Sequence, residues 1–103
     1  MLHTGTVTVA PNTNQLLFQY IVPANVAMQV PSIIIWGTAD VEFSLYKNTD
    51  WVAGGRTSAS MPTIQLTFGS EIGLQPYYVI QLYGQHPETT DQLISYTVFM
   101  EQL

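Results

Sequence analysis

Side chains capable of acid–base or metal chemistry are scarce in this chain. It has no cysteine, and its two histidines are His3 and His86. His86, Glu88 and Asp91 fall within Gly84-Gln85-His86-Pro87-Glu88-Thr89-Thr90-Asp91, and could ligate a metal if that segment folded back on itself. Their spacing matches no mechanistic metal motif, so a solvated acidic loop is the expectation. Asp40 and Glu42 are two apart, which on a strand sends both carboxylates to one face. A glycosidase pair also needs a cleft and one raised pKa, and an exposed strand face supplies neither. Ser95, His86 and Asp91 have the composition of a hydrolytic triad, but no nucleophile elbow or oxyanion-hole signature surrounds the serine. Gly54-Gly55-Arg56-Thr57-Ser58 is glycine-rich like a phosphate loop, yet lacks the lysine and the following helix. Arg56, the single arginine, is expected to pair with Asp40 or Glu42, inside the subunit or across an interface. Tyr20, Tyr46, Trp51, Tyr77 and Tyr83 could form a sugar-stacking platform, although aromatic residues in strands more often pack in the core or across strands. The expectation is a protein that is not an enzyme, with no catalytic, cofactor or metal site.

The elements that would carry these residues read as strands. Short apolar runs recur between Gly, Pro, Asn and Asp, and no linker or repeat divides the chain. Strands are expected near Thr4 to Val9, Gln15 to Val22, Val26 to Val30, Ser32 to Gly37, Val41 to Tyr46, Thr63 to Phe68, Tyr77 to Tyr83 and Leu93 to Met100. Val41, Phe43 and Leu45 alternate with Glu42, Ser44 and Tyr46, and Ile64, Leu66 and Phe68 alternate with Gln65 and Thr67, so each strand has one buried face. Lys47-Asn48-Thr49-Asp50 reads as a turn, Gly54-Gly55 as residues accepting positive φ, and Trp51-Val52 as the start of a return segment. The six prolines fall between strands or at their ends, where a missing N–H costs least. The fold class is therefore all-β: one β-sandwich domain over residues 1–103, with about eight short antiparallel strands. A jelly roll is the preferred topology, and an immunoglobulin-like sandwich the alternative.

Charge narrows the possible partners. Only 9% of residues are charged, against about a quarter in ordinary domains, so much of the surface must be covered by neutral polar or apolar groups. The formal net charge is −5, with Lys47 and Arg56 the only permanent cations, which argues against nucleic acid and against an anionic membrane. No apolar run is long enough to span a bilayer, and the opening Met-Leu-His-Thr-Gly-Thr-Val lacks the basic and apolar regions of a secretory signal. No Asp, Glu, Lys or Arg occurs from Met1 through Ala39. Within that stretch Leu16, Phe18, Tyr20 and Val22 form one face while Leu17 and Ile21 make the other apolar too, and Ile33 to Trp36 repeat the pattern. A single core covers one face, so the second lies either under twist and loops within the monomer, since scattered apolar surface residues are normal, or between subunits, the preferred reading. The expected subunit or capsid interface comprises Leu17, Ile21, Ile34, Trp36 and Arg56.

Three segments carry a family resemblance: Asp40-Val41-Glu42-Phe43-Ser44-Leu45-Tyr46-Lys47-Asn48, then Val52-Ala53-Gly54-Gly55-Arg56-Thr57-Ser58-Ala59, then Phe68-Gly69. Together the chain resembles small β-sandwich virion proteins of tailed bacteriophages, from about Ile21 to its C-terminus. The resemblance implies a capsid decoration (cement) protein, commonly a homotrimer, that binds the major capsid protein on the outer capsid surface and stabilises contacts between capsomers. It equally admits a phage fibre or a receptor- or carbohydrate-binding module. Synthesis in the host cytoplasm and a final place on the virion would follow.

Overall fold

The computed structural model describes residues 2–37, 40–68 and 72–103. Among these no helix occurs, and nine strands form: β1 (Leu2–Val9), β2 (Gln15–Ile21), β3 (Met28–Gly37), β4 (Glu42–Lys47), β5 (Asp50–Arg56), β6 (Thr63–Thr67), β7 (Gly73–Leu74), β8 (Val79–Gln85) and β9 (Gln92–Gln102). Sheet A has the order β1-β9-β3-β6, with the two-residue β7 also pairing β3, and sheet B has the order β2-β8-β4-β5. All pairs are antiparallel. The chain is a nested hairpin in which β4 pairs β5, β3 pairs β6, β2 pairs β8 and β1 pairs β9. Rolled into two sheets, that nesting is the eight-stranded jelly roll, with β7 an addition to it.

Period-two alternation builds the core between the sheets. Phe43 and Leu45 of β4, Ile80 and Leu82 of β8, Ile33 and Ile35 of β3, and Ile94 and Val98 of β9 all point inward and are buried. Asparagine sets the turns by tolerating left-handed backbone. Asn12 (φ 53°), Asn25 (φ 61°) and Asn48 (φ 58°) occupy the connections after β1, β2 and β4. Asn48 opens the two-residue loop closed by the Lys47–Asp50 pair.

Several expectations are corrected by long-range pairing. The two segments on either side of Pro31 are one strand, β3, because the register shifts between Gln29 and Ser32 and a bulge accommodates a residue without an N–H. The carbonyl of Pro31 accepts from the Phe68 N–H at 2.7 Å. Gly54 and Gly55 lie inside β5 rather than in a turn. The strand expected from Tyr77 begins at Val79, since Tyr77 has φ 68° in the preceding turn. His3 of β1 pairs with Val98 of β9. Its ring packs 5.1 Å from Phe18 and 5.3 Å from Tyr20.

Candidate functional site

Residues expected to do chemistry are held as structural pieces. His86 is 2% exposed. Its Nε2 lies 2.7 Å from the Val9 carbonyl oxygen and its Nδ1 3.1 Å from the Glu88 backbone nitrogen. Those partners fix the neutral tautomer with the proton on Nε2: the ring donates to Val9 and accepts from Glu88. Both ring nitrogens are thus committed, and the side chain ties the β8–β9 connection to the end of β1. Among the described residues no group of three His, Asp or Glu side chains is arranged to hold a metal. Ser95 sits elsewhere, its hydroxyl 3.0 Å from that of Thr6 on the outer face of sheet A.

The segment Val41 to Thr57, which carries most of the family resemblance, is a packing device. Gly55 faces inward under Phe43, and a Cβ added there would stand 2.8 Å from the ring's Cζ. Arg56 faces outward, its Nη2 donating to Glu42 Oε2 at 2.5 Å and its Nε 3.6 Å from Asp40 Oδ1. The Glu42 hydrogen bond, then the charges of Asp40 and Glu42, raise the guanidinium pKa above its ordinary value. Thr57 is buried, its Oγ1 accepting from the Val41 N–H at 3.3 Å while its own N–H donates to the Val41 carbonyl at 2.9 Å. Gly69, the end of the Phe-Gly pair in the resemblance, lies outside the described residues.

The two outer sheet faces differ in chemistry. On sheet A, register places Thr4, Thr6 and Thr8 of β1 beside Thr97, Ser95 and Leu93 of β9. It then places Ser32, Ile34 and Trp36 of β3 beside Thr67, Gln65 and Thr63 of β6. None of these is charged. Leu2 (57% exposed), Leu93 (56%) and Trp36 (40%) stand out of this face. Glu101 continues the outward row of β9 at one end of the face and accepts a hydrogen bond from Gln29 Nε2.

Sheet B carries Glu42, Lys47, Asp50 and Arg56, the exposed Trp51 and the half-buried Tyr46 and Tyr83. One transverse row runs Gln19–Gln81–Tyr46–Trp51 across its four strands. The next brings Leu16, Tyr83, Ser44 and Gly54 into line. A third brings Gln85, Glu42 and Arg56 together. Tyr46 and Tyr83 meet edge to face at 5.7 Å and 88°. Tyr20 of the expected aromatic set faces inward with His3, and Tyr77 stands in the turn before β8, so three of the five share this face.

The expected interface residues do not form one surface. Leu17 is buried in the core, because the register shifts between Leu16 and Phe18. This bulge turns Leu16 outward and Leu17 inward, which corrects the interface assignment of Leu17. Ile21 is exposed beside Val79 on sheet B, as is Arg56 beside Glu42. Ile34 and Trp36 belong to sheet A. The charge-free N-terminal third is thus divided, with β1 and β3 on one sheet and β2 on the other. The signal that local patterning misses is β9, whose outward Leu93, Ser95, Thr97 and Phe99 join β1 to β3.

No protein-family model matches the chain, and no curated protein matches it in sequence. Among solved structures, the nucleoplasmin-like N-terminal domain of Drosophila FKBP39 matches with a TM-score of 0.49 and 9% identity, over 98% of this chain and 91% of that one.

Proposed function

We propose that the protein is a non-catalytic structural subunit that assembles through the outer face of sheet A. The observation that carries this reading is that, among the described residues, Glu101 at one end is the one charge on that face, on a molecule whose net charge is −5. Two copies approaching in most orientations repel one another, whereas contact through sheet A away from its Glu101 end brings no like charges of the described residues together. Leu2, Leu93, Trp36, Ile34 and Phe99 supply apolar area there, and the threonine hydroxyls can pair across a contact. Four strands about 4.8 Å apart and about 26 Å long give a plan area on the order of 500 Å², near the low end for one partner in a specific interface. A contact of that size gains strength by repetition, since each further contact of an assembled oligomer is made at high effective concentration.

The resemblance to tailed-phage virion proteins gives this reading its specific form. The subunit is a capsid decoration (cement) protein: a homotrimer, made in the host cytoplasm, that binds the major capsid protein on the outer capsid surface and braces capsomers against one another. Light scattering across a dilution series tests assembly, and co-sedimentation with expanded capsids tests the partner. The expected result is a mass near three times 11.5 kDa, insensitive to salt, that falls to a single subunit in Ile34→Glu. A persistent monomer that also ignores capsids would refute the proposal.

A further inference from the structure

The outer face of sheet B is a separate surface, on the far side of the sandwich, and its chemistry differs from that of the assembly face. Trp51 is 60% exposed. It lies over Gly54, where an added Cβ would stand 3.2 Å from the indole Cζ2 and 3.5 Å from Nε1. The absence of a side chain at Gly54 thus lets the indole rest on the strand.

Two depressions adjoin this ring and its register partner Tyr46. One, of about 320 Å³, runs between Trp51 and the Glu42–Arg56 ion pair, with Ser44, Gly54 and Gly55 beneath it. The other, of about 360 Å³, is lined by Tyr46, Tyr83, Gln81, Asn14, Asn48 and Thr49. The exposed Trp51 ring and the half-buried Tyr46 and Tyr83 rings therefore alternate with groups that donate and accept hydrogen bonds. Arg56 offers a planar fork of donors and Glu42 a fork of acceptors, 2.5 Å apart at their closest atoms. The Gln81 amide is oriented by donating from Nε2 to Gln19 Oε1 at 2.7 Å.

We propose that this face binds a neutral oligosaccharide, with Trp51 stacking on one sugar ring, the Glu42–Arg56 pair bridging its hydroxyls, and Tyr46, Tyr83 and Gln81 receiving a neighbouring ring. A sugar presents an apolar C–H face beside vicinal hydroxyls, which is the combination these depressions complement. Competing occupants fit less well. An added peptide strand pairs at a sheet edge, here β2 or β5, and would lie beside this face rather than over the two depressions. Asp40 and Glu42 oppose nucleic acid and acidic glycans alike.

The test is a printed array of neutral and acidic glycans probed with the full chain, followed by fluorescence titration of the best neutral binder. The titration uses Trp36→Phe, which leaves Trp51 as the sole tryptophan and alters only the opposite face. Expected are binding to neutral glycans, a blue shift of Trp51 emission, and, by isothermal titration calorimetry on the otherwise unaltered chain, affinity lowered about tenfold or more in Trp51→Ala. Arg56→Ala should also weaken binding while its circular dichroism matches wild type. Binding to no neutral glycan, or only to acidic ones, would overturn the proposal. So would affinity unchanged by Trp51→Ala. Because Trp36→Phe and Ile34→Glu lie on the other sheet, loss of assembly and loss of sugar binding are scored independently.

Discussion

Replacing Gly55 with alanine tests whether the Gly-Gly-Arg-Thr segment is a packing device. The new Cβ would stand 2.8 Å from Cζ and 2.9 Å from Cε1 of Phe43, where carbon atoms prefer about 3.5–4.0 Å. Phe43 is 1% exposed, so its ring has no free volume into which to withdraw, and forced overpacking of that kind costs about 1–3 kcal/mol. Alanine also restricts the unfolded chain, which returns about 0.4–1 kcal/mol. The net expectation is a loss of about 1.5 kcal/mol, or about 6–12 °C in Tm for a domain of this size. Gly73→Ala is the matched control, since nothing lies within 4 Å of its added Cβ; it should be neutral or slightly stabilising. Urea denaturation at one fixed protein concentration, followed by thermal melts, measures both. The double variant Gly55→Ala/Phe43→Leu should recover about 1 kcal/mol relative to the sum of the single changes, because the smaller side chain vacates the contested space. If Gly55→Ala is as stable as Gly73→Ala, or the double variant shows no coupling, the packing account of the segment is wrong.

Other consequences are open to the same assays. Leu17→Ala should cost about 2–4 kcal/mol by urea denaturation, as a core truncation does, while Ile21→Ala, exposed on sheet B, should change stability by less than about 0.5 kcal/mol. His86→Ala removes a buried ring that bonds Val9 and the Glu88 N–H, and should lower stability by about 2–3 kcal/mol, with faster hydrogen exchange at the Glu88 amide. His3→Phe should raise stability by about 1 kcal/mol in thermal melts, because the buried His3 Nε2 has no hydrogen-bond partner and its neighbours are aromatic. Tyr77→Asn should add about 0.5 kcal/mol, since φ 68° strains a bulky residue more than asparagine.

Much of the architecture was legible because strand alternation is local. Val41, Phe43 and Leu45 announce an inward face by their spacing alone, and each is buried. The Arg56–Glu42 pairing was legible for a different reason: one arginine in a chain with two nearby carboxylates leaves few partners. The turn asparagines were less so, since Asn12, Asn25 and Asn48 are ordinary loop residues until their positive φ is seen.

The sequence by itself determined that the protein is all-β, which strands have one apolar side, and that charge is confined to its later two-thirds. Tertiary structure alone decided where those sides meet. Bulges at Leu17 and at Pro31 shift the alternation by one residue, and they arise from pairing with β8 and β9, some sixty residues away in the chain. The same long-range pairing brings β9 between β1 and β3 and carries β2 to the other sheet. A charge-free stretch of chain thereby becomes part of a face whose one charge among the described residues is Glu101, and only with the help of a distant strand. Side-chain direction follows from neighbours in sequence, whereas the make-up of a surface follows from which strands hydrogen-bond, and that depends on the whole chain.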